Sequence, residues 1–416
     1  MASGRRTFLK TAALGGAALG LPAAAVQAKP APTTGATPKL PPGRLCVLAY
    51  GRSRVPLAAE NRTQIVSVDL QSGAAARIPS PVSNLHSLLQ AGPNGGQWWG
   101  VGHESPELID VFDGRLQRLT TMRFPGIIFR GHGIAWKGGV LVAAERQGDP
   151  MAGGLLLHLD PQGQVVGQHP TGGMRPHEVV ECGDYLAVAH YGNRPKGPPP
   201  APPRPGDPAT PCPFMLDTVS PGVSFLRRDS LEVVAFYRLP GDGATSHLGV
   251  TPDGQVLAMS FNALLVPSLP EMYAQAGRDG ATLLSMEVID GAYEIRAPMY
   301  RVDPLKGLVE TLEAPAASMR RGQSFAHDLA SGTVAATYAA SQTVYLQRGR
   351  EPGRWLSTLN WGVANPRGCA LLAQGELLAV SGHDDNIAIV DITSGELVRL
   401  IGVPLGGHSH MYWLPG

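Results

Sequence analysis

Short apolar stretches alternate with polar turns along most of the chain, whereas the spacing typical of amphipathic helices is scarce. One motif recurs throughout: an apolar strand ends at Asp, or at an equivalent polar residue, and a tight turn follows. Its seven copies are VSVDLQSG at Asp69, IDVFDGR at Asp113, LLHLDPQG at Asp160, FLRRDSLE at Asp229, YRVDPLKG at Asp303, VYLQRGRE at Gln347 and AIVDITSGE at Asp391. Most successive copies are about 44 residues apart, and two intervals are longer. This spacing predicts a repeated antiparallel unit in which the Asp side chain caps the turn.

A second motif lies between these turns and consists of a small or polar residue, a His and an apolar strand. Its copies are NLHSLLQ at His86, GHGIAW at His132, RPHEVVE at His177, TSHLGVT at His247, FAHDLAS at His327, NPRGCALL at Arg367 and GHSHMYW at His408 or His410. Together the motifs describe four short strands per unit. They predict an all-β fold, a seven-bladed β-propeller with four-stranded antiparallel blades. We expect N- and C-terminal strands, RLCVLAY and HSHMYWLPG, to close the last blade and so remove exposed sheet edges.

The N-terminal segment has the pattern of an export signal. SGRRTFLK precedes a weakly apolar Ala/Gly/Leu run that ends at Val26-Gln27-Ala28. Paired arginines followed by such a run and a small-residue cleavage site predict a twin-arginine signal peptide over residues 1–28 and a periplasmic location. A flexible leader at 29–42 and a single propeller domain at 43–416 complete the predicted organisation.

Composition and charge exclude two classes of partner. The formal net charge of +1 provides no basic field for a phosphate backbone, so nucleic acid is not expected. No uninterrupted apolar run is long enough for a membrane span in the exported protein. Export would permit disulfides, but spacing does not choose among the pairings of the four cysteines, Cys46, Cys182, Cys212 and Cys369. Cys46 and Cys369 lie in apolar runs, which indicates buried small residues.

The His motif supplies the candidate chemistry. In a propeller this strand would be innermost, and its start would lie at one rim of the axial channel. The predicted ring contains the candidate metal ligands His86, His132, His177, His247, His327 and His408, with Arg367 at the remaining position. Three interpretations remain open. The imidazoles could hydrogen-bond within their own blades, could coordinate a transition metal such as copper or iron, or could join Arg367 in binding an anion.

Loops on the same predicted face carry further polar residues. The candidates for contact with a ligand there, besides Arg367, are His103, Glu145, Arg146, His190 and His383. Two insertions, at about 193–217 and 262–297, are expected to overhang the ring. The first is rich in Pro and therefore stiff and extended, so it is either a surface spacer or a lid or partner-binding edge.

Several of these motifs also carry a family resemblance. The segments are RRTFLK, GHGIAW, RPHEVV, LDTVSPGVSFL, SHLGV and NPRGCA. In them the chain resembles the exported seven-bladed propellers of the YVTN and quinoprotein-amine-dehydrogenase-like superfamily. It is most similar to a bacterial family of twin-arginine-exported proteins of unknown function. The resemblance implies the propeller fold and a link with iron uptake, and it implies no particular activity.

The leading functional hypothesis is an exported propeller whose His-lined axial funnel binds a transition metal or a small anionic or metal-chelate ligand, as an accessory protein in metal handling. A metal-dependent oxidoreductase or hydrolase is the first alternative. Propeller lactonases use calcium, whereas a nitrogen-rich rim suits softer metals. Within this alternative, a hydrolase is therefore less favoured than an oxidoreductase. The second alternative is a scaffold that contacts a periplasmic protein partner through the Pro-rich insertion. The sequence identifies no catalytic residue.

Overall fold

A computed structural model describes residues 39–50, 63–148, 153–192, 210–211, 221–240, 244–265, 293–312, 319, 321–405 and 407–416. These residues belong to one compact unit, Pro38–Gly416. The predicted signal peptide, most of the predicted leader and most of both predicted insertions lie outside the described residues. In the described part, no helix has the length and apolar character needed to cross a membrane.

The described chain is built from antiparallel strands and a few short 3-10 turns, which confirms the all-β prediction. The first fourteen strands are β1 (Gly43–Tyr50), β2 (Thr63–Asp69), β3 (Ala75–Ser80), β4 (Leu85–Ala91), β5 (Gln97–Asp113), β6 (Arg118–Trp136), β7 (Gly139–Arg146), β8 (Leu155–Leu159), β9 (Val165–Pro170), β10 (Pro176–Cys182), β11 (Tyr185–His190), β12 (Thr210–Pro211), β13 (Gly222–Arg227) and β14 (Val233–Tyr237). The others are β15 (Ala244–Val250), β16 (Val256–Leu265), β17 (Tyr293–Arg296), β18 (Met299–Asp303), β19 (Gly307–Thr311), β20 (Gly322–Asp328), β21 (Thr333–Tyr338), β22 (Thr343–Arg348), β23 (Arg354–Ser357), β24 (Pro366–Leu372), β25 (Leu377–Gly382), β26 (Asn386–Asp391), β27 (Leu397–Gly402) and β28 (Gly407–Pro415).

The prediction of seven blades is wrong, because the described strands form six hydrogen-bonded sheets. Four sheets have four strands each, in the orders β28-β1-β2-β3, β10-β11-β13-β14, β20-β21-β22-β23 and β24-β25-β26-β27. A fifth has the path β12-β16-β18-β19, with β15 and β17 also paired to β16, and the sixth has the order β4-β5-β6-β7-β8-β9. In the first of these sheets β28 pairs with β1, so strands from both ends of the described chain share one sheet.

The six-stranded sheet β4–β9 explains the difference in number. Pro106 follows His103, and Pro125 and Gly126 precede Arg130, so residues that favour loops interrupt the apolar pattern in both places. In the structure these two segments remain extended and pair with each other, through Ser105 opposite Phe129 and Pro106 opposite Ile128. Register shifts at His103/Ser105 and Pro106/Leu108 leave Glu104 and Glu107 without a paired residue in the opposite strand, so the two strands can continue past them. Two repeat units, those of His86 and His132, therefore belong to a single sheet.

Burial decreases from the inside of each sheet to its outside. The middle strands β21 and β25 are buried along their whole length, whereas the outer strand β9 has an exposed or half-buried residue at every position. Strands rich in Val, Leu, Ile and Ala can occupy the middle because both of their faces contact neighbouring sheets. The His-motif strands contact one another in a closed series, β28, β4, β6, β10, β15, β20 and β24, and so surround an axis.

β-Bulges occur where these inner strands carry their polar residues. The register shifts between Leu85 and Ser87 in β4, and between Pro176 and Val179 in β10, so that His86 and His177 lie at the irregularities. Equivalent shifts in β20 and β24 place Gln323 and Arg367 in the same way. A bulge redirects a side chain away from the regular alternation of a strand. The bulges therefore select which residues face the axis.

Three cysteines are described, and all three are free and buried: Cys46, Cys182 and Cys369. This confirms the prediction that Cys46 and Cys369 are small buried residues. Burial raises the pKa of the Cys369 thiol to about 12, so it is protonated and unreactive at neutral pH. Cys212 lies outside the described residues.

Candidate metal centre

Six imidazoles from different parts of the chain meet at the axis. They are His86, His103, His132, His177, His247 and His410, and we call them the His cluster. The centroids of adjacent rings are between 4.2 Å, for His86 and His410, and 5.4 Å, for His132 and His247. All of these residues except His103 are buried, and the His103 side chain is only 14% exposed. The inner strands thus bring together residues that are up to 324 positions apart.

The His cluster contains two groups with the spacing of metal ligands. One group is His86, His132 and His177, and the other is His132, His247 and His410. Within each group the candidate nitrogen atoms all lie within 4.8 Å of one another. His132 belongs to both groups, so it is the central member of the cluster.

Hydrogen bonds orient two of the rings. His177 Nδ1 lies 2.7 Å from the Arg130 carbonyl oxygen, which can only accept, so Nδ1 carries the proton. His247 Nδ1 likewise donates to Glu178 Oε2 at 3.0 Å. When such a ring is neutral, its lone pair is on Nε2. Metal-binding histidines commonly have this arrangement, in which the second ring nitrogen donates to a carbonyl or a carboxylate.

A direct contact between two imidazoles occupies the middle of the cluster. His410 Nε2 and His86 Nε2 are 2.9 Å apart, a hydrogen-bond distance in which one nitrogen donates and the other accepts. His410 Nδ1 also lies 3.0 Å from Ser324 Oγ. Coordination of an ion by either Nε2 atom would replace the hydrogen bond between the two rings.

Three buried nitrogens of the cluster have no hydrogen-bond partner among the described residues: His86 Nδ1, His132 Nε2 and His177 Nε2. Leaving a buried polar atom unpaired costs about 1–3 kcal/mol, so three such atoms on adjacent rings need an explanation. Burial, reinforced by the proximity of the other imidazoles, lowers the pKa of all three side chains well below the usual 6.5. They are therefore neutral at pH 7, which is the form that binds metals.

Ion pairs border the cluster on the side of His103. Glu104 Oε1 lies 2.7 Å from Arg175 Nη2, 3.3 Å from Arg130 Nη1 and 3.7 Å from His103 Nε2. The proximity of His103 and of the two guanidinium groups holds the pKa of Glu104 well below its usual range. Arg130 also pairs with Glu145, and both of these residues are buried. This rim of the cluster therefore contains fixed, charged hydrogen-bonding groups.

The comparisons with known proteins show the fold. No protein-family model matches the chain, and no curated protein sequence matches it. The solved periplasmic gluconolactonase PpgL of Pseudomonas aeruginosa is similar in structure, with a TM-score of 0.51, 16% identity, and coverage of 89% of this chain and 99% of that one. A protein from Lactobacillus plantarum has a TM-score of 0.50 and 14% identity, with the same coverage of both chains. The chain is a β-propeller. At identities this low, the similarity does not indicate that this chain shares the function of either protein.

The propeller brings together four of the six predicted metal ligands, His86, His132, His177 and His247. It places His327 elsewhere, because the bulge of β20 is at Gln323, four residues earlier in that strand. Among the described residues, the ring contacts that join the cluster do not extend to His327. The backbone of His408 pairs with Ala49, but its side chain is outside the described part. His410, the other histidine of that motif, joins the cluster instead.

The remaining predicted contact residues are distributed over the propeller. His103 joins the His cluster, and Glu145 lies at its rim through Arg130. Arg367 reaches the axis, where its Nη1 donates to Gln323 Oε1 at 2.6 Å. Arg146 is exposed and contacts Gln168. The structure therefore brings only some of these residues to the cluster.

Two other predicted contact residues are engaged within their own parts of the propeller. His190 is buried, hydrogen-bonds Ser224 Oγ at 2.9 Å and packs against Phe236, and burial lowers its pKa to about 3. His383 lies in a loop, where its backbone N–H donates to the Ala364 carbonyl. Neither belongs to the two groups of candidate ligands.

Glu178 is a residue of the site that the sequence analysis did not include. One of its oxygens accepts hydrogen bonds from His247 Nδ1 and from the Leu248 backbone N–H, at 3.0 and 2.9 Å. The other oxygen lies 3.9 Å from His132 Nδ1. The only sequence signal was its position directly after His177. One carboxylate thus lies behind two imidazoles of the cluster.

Proposed function

We propose that this propeller binds a first-row transition metal ion through the His cluster. The observation that carries the proposal is the set of three unpartnered, buried, neutral nitrogens on His86, His132 and His177. These rings come from three different strands, and one candidate nitrogen of each lies within 4.8 Å of the others. A metal ion coordinated by these rings would supply the partner that their buried nitrogens lack among the described residues.

The same chemistry favours a metal over an anion as the primary ligand. An anion site would need protonated imidazoles, and the lowered pKa values keep these rings neutral. Imidazole nitrogen suits zinc, copper, iron and nickel, whereas calcium and magnesium prefer oxygen. A small anion or a chelating molecule could then bind as a further ligand of the metal, next to Arg130 and Arg175 at the rim.

We further propose that the protein acts after export, as a periplasmic accessory protein in metal handling. The support is the twin-arginine pattern at its N-terminus together with the resemblance to exported propellers linked with iron uptake. Copper and iron are therefore tested beside zinc. The likeness to the gluconolactonase extends to the fold alone, and it gives no support to hydrolysis.

The test is metal binding by the purified protein. Metal-free protein is titrated with Zn²⁺, Cu²⁺ and, without oxygen, Fe²⁺, and the bound metal is quantified by elemental analysis and calorimetry. We expect stoichiometric binding of at least one of these ions. The His132→Ala variant should bind that ion at least about 100-fold more weakly, because His132 belongs to both groups of candidate ligands.

The matched control is His158→Ala. His158 is a half-buried histidine of β8 whose ring lies near His169 and not near the cluster. The control should bind the ion as tightly as the unchanged protein does. Absence of stoichiometric metal in the unchanged protein, or equal binding by His132→Ala, would contradict the proposal.

A further inference from the structure

An axial cavity of about 680 Å³ leads from solvent to the His cluster. Its deep end is lined by His132 and His410, which are buried. Leu329 and Gln374, which are exposed, also line it and lie at its outer end. The cavity therefore connects the surface with the one imidazole that both groups of candidate ligands share.

The charged side chains along this cavity are all acidic. The lining contains Glu178, Glu181 and Asp328, and no Lys or Arg occurs among the described residues that form it. Arg228 pairs with the Glu181 carboxylate at 2.6 Å and neutralises it. Glu178 and Asp328 remain as negative charges inside a narrow, largely apolar passage. Such a passage concentrates cations and speeds their arrival.

His327 lies in the wall of the axial cavity, between its mouth and the His cluster. It is half-buried, next to Asp328 in sequence, and the negative charges of both Glu178 and Asp328 act on it. Burial lowers the pKa of its imidazole, so the ring is neutral and offers a lone pair at pH 7. The histidine that is missing from the cluster thus lies on the way to it.

The opposite approach to the cluster is less favourable for a cation. On the His103 side, the guanidinium groups of Arg130 and Arg175 border the rings, and Glu104 bonds to both of them. Glu145 also pairs with Arg130, so two carboxylates offset the two guanidinium groups and this approach has no net charge to attract a cation. The axial cavity, in contrast, carries Glu178 and Asp328 and has no Lys or Arg in its described lining.

We propose that the axial cavity is the route by which the metal ion enters the propeller, with His327 and Asp328 as its transient ligands. This inference rests on the proposed function. His327 and Asp328 would replace part of the ion's hydration shell near the mouth and pass it inward past Glu178 to His132 and His410. Residues that serve only in passage change the rates of binding and release together, and they leave the equilibrium affinity almost unchanged.

The experiment is stopped-flow uptake of Zn²⁺ by metal-free protein, with release into excess chelator measured separately. We expect the double variant His327→Gln/Asp328→Asn to take up Zn²⁺ about tenfold more slowly and to release it more slowly by a similar factor. Its equilibrium affinity should stay within about threefold of the unchanged protein's. The uptake rate of the unchanged protein should also fall more steeply with added NaCl than that of the variant.

Asp160→Asn is the matched control. Asp328 caps its own turn by accepting from the Ala330 N–H, and Asp160 caps a turn in the same way but does not line the cavity. The control should bind Zn²⁺ at the unchanged rate.

An unaltered uptake rate in the double variant would overturn the inference while leaving the proposed function intact. A loss of affinity above tenfold would overturn it too, by making His327 a resident ligand. Failure of the unchanged protein to bind metal would refute both proposals.

Discussion

Strands on both sides of the propeller axis contain β-bulges, but the bulges on the two sides present different residues to the axis. On one side, β4, β5, β6, β10, β15 and β28 carry the imidazoles at or next to their bulges. On the other side, the bulges of β20 and β24 carry Gln323 and Arg367, which bond to each other at 2.6 Å. We call these the histidine side and the arginine side. The bulges determine which residues reach the axis, and the chemistry of those residues determines what each side can bind.

The difference lies in the hydrogen-bonding groups that each side leaves available. On the arginine side, Gln323 Oε1 accepts from Arg367 Nη1, and every polar group of that guanidinium is a donor without a lone pair. On the histidine side, the neutral rings of His86, His132 and His177 each have one donor and one acceptor. The carbonyl of Arg130 and the carboxylate of Glu178 use the donors of His177 and His247. Lone pairs remain, and lone pairs are what a metal ion requires.

The largest expected effect is on the pH dependence of stability. His86, His132 and His177 have pKa values well below 6.5 in the folded protein and about 6.5 when unfolded. As the pH falls below 6.5, the unfolded chain binds protons that the folded protein does not, so the free energy of unfolding falls. Three imidazoles lower the free energy of unfolding by about 4 kcal/mol in total between pH 7.5 and 5.5 in the metal-free protein. Urea unfolding between pH 7.5 and 5.5 measures it.

Replacement of one ring tests whether the imidazoles of the cluster cause this loss of stability at low pH. His132→Gln should reduce the loss between pH 7.5 and 5.5 by about 1.4 kcal/mol, the contribution of one proton. The window from 6.5 to 5.5 lies above the usual pKa of carboxyl groups, so Asp and Glu contribute little there. A total loss of less than about 1.4 kcal/mol between pH 7.5 and 5.5 would show that the three rings are not held neutral. The histidine side would then not offer the lone pairs that distinguish it from the arginine side.

A smaller effect is expected from Glu178→Gln, which tests the carboxylate behind the histidine side. Glutamine keeps the shape but loses the negative charge, so His247 and His132 lose their anionic partner. Residues in this supporting role typically change metal affinity by about 10- to 100-fold, and we expect a loss in that range for Zn²⁺. Competition with a chelator of known affinity measures it.

The control for that experiment is Glu181→Gln in the same strand. Glu181 pairs with Arg228 on a half-exposed surface and does not contact the His cluster. Its replacement should leave the Zn²⁺ affinity unchanged. If both variants bound Zn²⁺ equally well, Glu178 would have no role in orienting the imidazoles.

Repeats in the sequence were sufficient to predict the all-β propeller and four of the six imidazoles in the cluster. They could not predict the number of sheets, because the pairing of Ser105 with Phe129 joins two segments that contain loop-forming residues. Sequence periodicity identifies strands, but it does not show where a loop continues a hydrogen-bond ladder. Long-range backbone pairing decides that, and only the folded chain contains it.

The errors in the predicted site have a related cause. His327 follows the motif in sequence, but the bulge of β20 is at Gln323, so the residue that faces the axis lies earlier in the strand. In the last strand the motif offered His408 or His410, and the register shift opposite Val47 and Ala49 places His410 in the cluster. A bulge has no distinct sequence signature in either strand. Motif alignment therefore finds the right strands but is uncertain by a few residues within them.

The smallest expected effect on metal binding comes from the arginine side, through Gln323→Met. The substitution removes the acceptor that Arg367 Nη1 uses, so the free energy of unfolding should fall by about 1.5–3 kcal/mol, the range for a hydrogen bond to a charged group. Zn²⁺ affinity should stay within about twofold, because Gln323 contributes no nitrogen to either group of candidate ligands.

The neighbouring variant Ser324→Ala provides the contrast, since the Ser324 hydroxyl lies 3.0 Å from His410 Nδ1 and helps to fix that ring. It should weaken Zn²⁺ binding more than Gln323→Met does while destabilising the fold less. These two variants of adjacent residues would then show that the stability of the fold and the affinity for Zn²⁺ can be changed independently. If Gln323→Met instead weakened Zn²⁺ binding more than about tenfold, the arginine side would be part of the metal centre, and the division of the axis into two functional sides would be wrong.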